Sequence, residues 1–340
     1  MLIKHPVWQA RIHRFRRNRL GFFSLIMFSL IFLACMGANL IANDKPILVN
    51  YQNHWYFPIV KSYPETTFGG VFETETNYQD PVVKDLINQH GYMIEPMIPF
   101  ADQTPSVMRS VPFPAPPNAQ NWFGTDDQGR DVLARVLYGL RVSLLFGLAL
   151  TVAGSIIGIA VGAVQGYFGG WTDLVGQRLM EVWGGLPQLF MIIILVSLFS
   201  PSVFVLFGLM LLFGWMGLVG LVRAEFLRAR NFDYVRSAKA MGVSDAKIMF
   251  RHILPNAMSS SLSQLPFILT ANITALTTLD YLGYGLPAGS PSLGELISQG
   301  KDNLDSPWLA LAGFFSLTIM LSLLIFIGEA LRDAFDPRQS

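Results

Sequence analysis

Long apolar runs separated by short polar ones dominate this chain. The hydrocarbon core of a bilayer needs about 20 mostly apolar residues per helix. The first run of that length, residues 20–42, holds no charge. Further runs cover 143–167, about 186–199, 203–222, about 262–284 and 308–327. No ionisable side chain stands between Glu181 and Arg223, and only Ser200-Pro201-Ser202 interrupts that stretch, which predicts a tight helical hairpin. The fifth run is the most polar of the six, with Asp280 and several Thr and Asn. The pattern predicts an all-α polytopic membrane protein with about six transmembrane helices.

Composition agrees. Of 340 residues, 52% are hydrophobic and 14% charged, against about 25% charged in an ordinary soluble domain. Lys and Arg number 24, Asp and Glu 23, for a net charge of +1. Such a balance gives no basic surface for nucleic acid. The single cysteine, Cys35, excludes an intramolecular disulfide and reads as a small packing residue.

The distribution of charge is more informative than its sum. Residues 1–19 carry Lys4, Arg11, Arg14, Arg16, Arg17 and Arg19 and no acid, whereas 43–120 carries eight acids and four bases. From 223 to 251 seven bases face three acids. Since Lys and Arg accumulate on the cytoplasmic side, both termini and the 223–261 loop are expected inside, with 43–142 and 284–307 outside. A cleaved signal peptide is the rival reading of the first run, but the apolar stretch continues past Cys35 without a convincing small-x-small site.

Five further regions follow. Residues 1–19 form a basic N-terminus and 331–340 a cytoplasmic tail. Residues 43–120 hold eleven of the twenty prolines and read as irregular and extended, with a short helix over 82–89 opened by Pro81 and aromatic residues Tyr51, Trp55 and Tyr56 suited to a lipid interface. Residues 121–142 predict an interfacial helix: Thr125 caps it, Asp126 and Asp127 complement its dipole, and Val132, Leu133, Val136, Leu137 and Leu140 form an apolar stripe flanked by Arg130, Arg135 and Arg141. The five remaining spans make up a core, 143–330.

Within that core lies the segment with most chemical content, 231–256 (NFDYVRSAKAMGVSDAKIMFRHILPN). Asp233 is a suitable N-cap for a helix over 234–241, Gly242 suits the left-handed position that ends one, and Ser244 can cap a second helix running toward Pro255. Glycines at 154, 158, 162 and 166 recur with period four, the spacing of a groove that another helix can approach closely, within the chain or between subunits. Asp280, inside a span, is a functional candidate or a residue that reaches water. No phosphate-binding G-x-x-x-x-G-K-[ST] loop occurs, since Gly300-Lys301 stands alone, and no catalytic or metal-ligand spacing is visible.

The loop resembles the EAA loop of binding-protein-dependent ABC transporter permeases, Glu-Ala-Ala, three residues, Gly, nine residues, Ile-x-Leu-Pro. The corresponding positions are Arg236, Ser237, Ala238, Gly242, His252, Leu254 and Pro255; Ala238, Gly242 and Leu254-Pro255 match, while Arg236, Ser237 and His252 depart from the pattern. Residues 121–133 (NWFGTDDQGRDVL) resemble the Phe-Gly-Thr-Asp-Asp-x-Gly-Arg-Asp-Val segment of peptide-class permeases, and 328–338 (GEALRDAFDPR) their C-terminal Leu-Arg-Asp-x-x-Asp-Pro-Arg. The chain is thus similar to the C-type membrane subunit of dipeptide and oligopeptide ABC importers, with a likeness to the Yej-type peptide permeases associated with microcin C uptake.

The resemblance implies half of a translocation pathway in the bacterial inner membrane, a homologous permease as partner, two ATPase subunits or one tandem ATPase, and a periplasmic peptide-binding protein. It implies no cofactor on this chain, with ATP and magnesium on the ATPases. A secondary transporter or channel is the alternative, which calls for intramembrane coupling residues or an internal repeat; a membrane-embedded hydrolase calls for a catalytic group.

Overall fold

The computed structural model describes residues 6–105 and 112–335. Asp336, Pro337 and Arg338 of the C-terminal motif lie outside the described residues. The chain divides into two compact units, one of Met1–Ser29, Ser143–Pro287 and Thr318–Ser340, the other of Leu30–Val142 and Ala288–Leu317.

Helices account for the first unit's described residues apart from turns. The basic helix α1, Pro6–Arg17, is followed by α2, Arg19–Met36. Asn18 separates them and caps α2, accepting from the Gly21 amide at 3.0 Å. Helix α2 crosses into the second unit, where a four-residue turn, α3 (Ala38–Ile41), follows it. The longest helix, α5, runs Val132–Phe168. Its 37 residues extend about 55 Å at 1.5 Å per residue, well beyond the bilayer's hydrocarbon core. Helices α6 (Gly170–Gly184) and α7 (Gln188–Val196) meet at a 70° bend. The break contains Gly185 and Pro187; glycine weakens a helix and proline cannot donate to the preceding turn. Ser202 then caps α8, Val203–Gly214, so the predicted hairpin forms around 200–202. A 3₁₀ turn, Trp215–Leu218, joins α8 to α9, Val219–Ala229.

Among the described residues, four helical stretches are long and apolar enough to cross a membrane: Arg19–Met36, Val132–Phe168, Val203–Ala229 and Pro307–Phe335, the last being α15. The bent α6–α7 pair makes a fifth. Helix α13, Leu265–Tyr281, has 17 residues and sits at the lower edge of the roughly 17–25 residues a span requires. Together these correspond to the six predicted runs.

The glycine spacing on α5 is used within the chain. An added Cβ at Gly158 would lie 2.5 Å from the Trp215 carbonyl oxygen, at Gly162 2.7 Å from that of Val219, and at Gly166 2.5 Å from that of Arg223. At Gly154 the nearest atom would be 3.5 Å away, an ordinary contact. Three of the four glycines therefore let α5 lie at backbone distance from the 215–226 segment.

The second unit departs from expectation. Part of 43–120 is not irregular: residues 48–94 build a three-stranded antiparallel sheet, order β2-β1-β3, from β1 (Leu48–Tyr51), β2 (His54–Tyr56) and β3 (Gly91–Ile94). The β1–β2 link is the two residues Gln52 and Asn53, both with positive φ, the geometry whose twist suits a hairpin. Helix α4, Pro81–His90, covers the sheet; it confirms the short helix expected at 82–89, with Asp80 accepting from Val82 N as its cap. Val49, Phe68, Tyr78, Val83 and Ile87 form the core, and Phe68 packs edge-on against Tyr51, Tyr56, Tyr63 and Tyr78. Tyr51 is thus a core residue and not one resting at a lipid interface; of that trio only Trp55 is exposed. The prolines misled because they punctuate a small fold. Helix α14, Leu293–Asp302, also belongs to this unit.

No separate interfacial helix occupies 121–142. Residues 121–131 form a turn, and helix begins only at Val132, continuing without a break because nothing between 132 and 168 stops it.

Replacing Gly158 by Ala should destabilise the folded chain by about 1–3 kcal/mol through overpacking. Gly154→Ala should be neutral or slightly stabilising, because Ala favours helix over Gly by about 1 kcal/mol. Thermal unfolding in detergent separates the two; equal midpoints for both variants would contradict the close approach.

Candidate functional site

The 231–256 segment folds as a hairpin. Helix α10 spans Asp233–Ala240, Gly242 turns the chain with φ of +79°, a single turn α11 (Asp245–Lys247) leads into a π-helical stretch Ile248–Ile253, and α12 follows over Leu254–Leu262. Glycine is needed at 242 because an L side chain rarely adopts that φ, and space around it is open. Pro255 accounts for the π turn: it lacks an amide hydrogen and its ring crowds the carbonyl four residues back, so the preceding backbone widens to pass it.

Two cap assignments change. Asp233 is not the N-cap of α10; Phe232 holds that position, with extended backbone and no side-chain bond. Asp233 instead lies in the first turn, where its carboxylate favours the helix dipole. Ser244 does hold the cap position before α11, but with its carbonyl, which accepts from Ile248 N, and without a side-chain bond.

One face of the hairpin is core. Val235 and Ala238 from α10, with Ile248, Met249, Ile253 and Ala257, pack on Phe226 and Ala229 of α9 and on Ala163 and Tyr167 of α5. The Tyr167 hydroxyl donates to Asp245 Oδ1 at 2.5 Å, tying the hairpin to the end of α5. Nearby, Arg223 Nη2 on α9 donates to Asp173 Oδ2 on α6 at 2.7 Å. Of the positions that correspond to the loop pattern, Ala238 is buried, His252 and Leu254 are half-buried, and Arg236, Ser237, Gly242 and Pro255 are exposed.

The other face is open and unusual in make-up. Met241 is 75% and Phe250 70% exposed, with Phe232 and Tyr234 also exposed. Arg236, Lys239, Lys247 and Arg251 are exposed as well, and Phe250 borders a cavity with Ile156, Val164 and Phe168 of α5. Large apolar side chains set among arginines and lysines are the composition of a protein interface more than of a solvated surface.

In the second unit the acidic motif forms a buried ion cluster. Asp126 does not lie in a helix: its Oδ1 accepts from the amides of Gln128 at 3.0 Å and Arg130 at 2.8 Å, and its Oδ2 accepts from Arg130 Nε at 2.7 Å. Arg135, expected to flank an interfacial helix, is fully buried; Nη2 pairs with Glu295 Oε2 at 2.7 Å and Nε stands 3.4 Å from Asp126 Oδ2. Arg130 Nη2 completes the cluster 3.4 Å from Glu295 Oε1. Two acids and two bases cancel, which is what burial of charge requires. Thr125 caps no helix; its Oγ1 accepts from Ala115 N at 2.8 Å. Asp131 takes the capping role before α5, accepting from Ala134 N at 2.8 Å and from Asn121 Nδ2 at 2.9 Å. Burial raises the Asp131 carboxyl above its ordinary pKa despite those bonds, and burial together with Asp126 raises Asp127.

Glu295 had no place in the sequence reading, yet Ser292-Leu-Gly-Glu295 is a capping-box pattern. Ser292 Oγ does accept from Gly294 N and Glu295 N to open α14, while the Glu295 carboxylate goes to the arginines. Asp280, the candidate pathway residue, is buried and its Oδ1 accepts from Leu286 N at 2.7 Å, closing the turn after α13.

Comparison with known proteins draws on both ends of this chain. The profile of the "Binding-protein-dependent transport system inner membrane component" family matches residues 154–340, more than half the chain and all of the hairpin. The chain belongs to that permease family. A second profile, the "N-terminal TM domain of oligopeptide transport permease C", matches residues 7–58. The permease is 55% identical over 335 residues to the inner membrane ABC transporter permease protein YejE of Escherichia coli (strain K12), covering 98% of each chain. It is 50% identical over 361 aligned positions to the peptidoglycan transport system permease protein YejE of Agrobacterium fabrum (strain C58), covering 98% of this chain and 94% of the relative. The oligopeptide transport system permease protein OppC of Bacillus subtilis (strain 168) is 35% identical over 226 residues, 66% of this chain and 73% of that one. As a member of the family, the permease is a multi-pass inner-membrane subunit of an ABC importer that works with ATPase and substrate-binding partners.

Replacing Asp126 by Asn should cost about 3–5 kcal/mol, because it leaves two buried arginines with one acid between them. Asp131→Asn should cost much less. With a folded pKa above the unfolded value of about 3.9, Asp131 binds more protons when folded, so its contribution falls as pH rises out of the ordinary carboxylate range and the variant should lose that slope. Melting curves of the two variants across acidic pH check both statements.

Proposed function

We propose that this permease forms half of the membrane pathway of an ATP-driven importer of di- and oligopeptides, peptide antibiotics of the microcin C kind and cell-wall peptides among them. Its partners are a homologous permease, two ATPase subunits or one tandem ATPase, and a periplasmic peptide-binding protein. It binds no cofactor of its own; ATP and magnesium belong to the ATPases, and the chain carries no ATPase site. Both termini and the 231–256 hairpin face the cytoplasm, as the placement of Lys and Arg favours, and 43–142 faces the periplasm.

The observation that carries this reading is the two-faced hairpin. Its inner face is core with α9 and the end of α5, while Met241, Phe250, Phe232 and Tyr234 are left exposed, as are Arg236, Lys239 and Arg251. An ATPase seated on the outer face moves the hairpin as it closes on ATP. Val235, Ala238 and Ile253 pass that displacement to α9, and the backbone contacts at Gly158, Gly162 and Gly166 pass it to α5. Coupling then needs only that ATP binding favours one arrangement of the helices over another. Arg236 at the position where the family pattern has Glu makes its contact with the ATPase through a positive charge, and Asp280 serves the pathway by shaping the turn at 281–286.

The test uses the assembled importer in proteoliposomes. Met241→Asp combined with Phe250→Asp should lower ATP-dependent peptide uptake at least about tenfold, as loss of an interface hot spot of 1.4 kcal/mol or more implies. The chain should still insert and still associate with its partner permease, and deleting 238–255 should abolish uptake outright. Wild-type uptake by the double variant, or uptake without any ATPase, would sink the coupling claim.

A further inference from the structure

A groove unrelated to the hairpin's outer face opens in the first unit between α1, α2, the α12–α13 junction and the end of α15. Its volume is about 580 Å³, and Phe22, Leu25, Leu265, Pro266, Ile327 and Leu331 wall it. That is within the roughly 300–1,000 Å³ typical of ligand pockets. Two of its lining residues are of another kind: Arg11 and Arg16, one turn or so apart on α1 and flanking Phe15. The Arg11 guanidinium lies 4.5 Å from the Phe335 ring centroid, so this cation is held at the groove by the end of α15.

The surroundings repeat that polarity. Helix α1 carries Arg11, Arg14, Arg16 and Arg17 without an acid, and Arg19 opens α2. Arg16, Arg17 and Arg19 are exposed. The packed end of α15 brings Glu329 and Asp333, both exposed, and Arg332 between them, so among the described residues the bases stay in excess. A cleft that is apolar along its length and cationic at one end matches an amphiphile with a negative head. Basic pockets between membrane helices beside a basic juxtamembrane segment favour acidic lipid headgroups, and α2 and α15, which form the walls, are among the spans.

We propose that this groove is a binding site for one anionic phospholipid, with its phosphate against Arg16 and Arg11 and an acyl chain along Phe22, Leu25, Leu265 and Ile327. The site needs only that the chain spans a bilayer, so it stands or falls apart from peptide import. A lipid bound there fastens α1 to α2 and α15 by bridging all three.

Native mass spectrometry of the full importer, taken from nanodiscs of phosphatidylcholine containing phosphatidylglycerol, reads the retained lipid directly. Wild type should keep phosphatidylglycerol in preference to phosphatidylcholine. Arg16→Gln should weaken retention about fivefold, and Arg16→Gln with Arg17→Gln by more, given the roughly fivefold attraction of each basic residue near an acidic surface. Arg16→Lys should restore it, and Leu25→Trp, which fills the groove from an exposed position, should abolish it. Equal retention of both lipids, or retention unchanged in Arg16→Gln and Leu25→Trp, would overturn the proposal. So would release of the lipid signal by inorganic phosphate alone, which would mark a bare anion site. Loss of the partner permease from Leu25→Trp with lipid retention intact would assign the groove to a subunit contact instead.

Discussion

The first unit depends on how closely two helix backbones can lie. Gly158, Gly162 and Gly166 bring α5 within 2.5–2.7 Å, as measured from an added Cβ, of the carbonyls of Trp215, Val219 and Arg223. In hydrocarbon there is no hydrophobic driving force between helices, so van der Waals contact of this kind has to supply the association. The consequence reaches the hairpin. Phe226 and Ala229 on α9 and Ala163 and Tyr167 on α5 form a single platform because the two helices touch, and Val235, Ala238, Ile248 and Ile253 are seated on it. A bulkier α5 would separate the platform into two surfaces, and the hairpin would lose the floor that lets it act as a rigid piece.

The second unit solves a different problem, that of charge out of water. Arg135 is fully buried on the first turn of a helix whose continuation is apolar. Left alone it would be ruinously placed. Asp126 and Glu295 reach it from the 121–131 turn and from α14, and Arg130 shares both acids. Such clusters contribute little net stability over an apolar replacement. Their geometry is directional, however, and here it fixes α14 and the turn to the start of α5, while Trp308 Nε1 donates to the Thr125 carbonyl from α15.

What the sequence disclosed depended on the range of the interaction concerned. Spans were legible because twenty apolar residues in a row need no partner to be recognised, and Gly242 because a left-handed turn is a local event. The family likeness of 231–256 was legible for the same reason, since Ala238, Gly242 and Leu254-Pro255 keep their spacing along the chain. The sheet in 43–120 was hidden: β1 and β3 lie some forty residues apart, and the β1–β2 turn is Gln52-Asn53 without the usual glycine. Glu295 was invisible for the same reason, being 160 residues from Arg135. Asp126 and Asp127 suggested a helix start because acids favour one; the structure instead spends Asp126 on a turn and gives the cap to Asp131. The signal that could have found α14 was Ser292 three residues ahead of Glu295.

Charge in this chain is scarce, and each unit uses it in a distinct way. In the cluster of Asp126, Arg130, Arg135 and Glu295 it is withdrawn from water and balanced, where it locks a turn and two helices. On the hairpin it is exposed and unbalanced, with Arg236, Lys239, Lys247 and Arg251 open to the outside as the aromatic and methionine side chains are. A surface built only for solubility would have no reason to expose Phe250 at 70% and Met241 at 75% in such company. The combination is stable as an isolated face only because the opposite face is anchored through Tyr167, Phe226 and Ala229. Exposed apolar and cationic side chains over an anchored inner face are what a protein interface requires, and in this permease the inner face is seated on two other helices, α5 and α9.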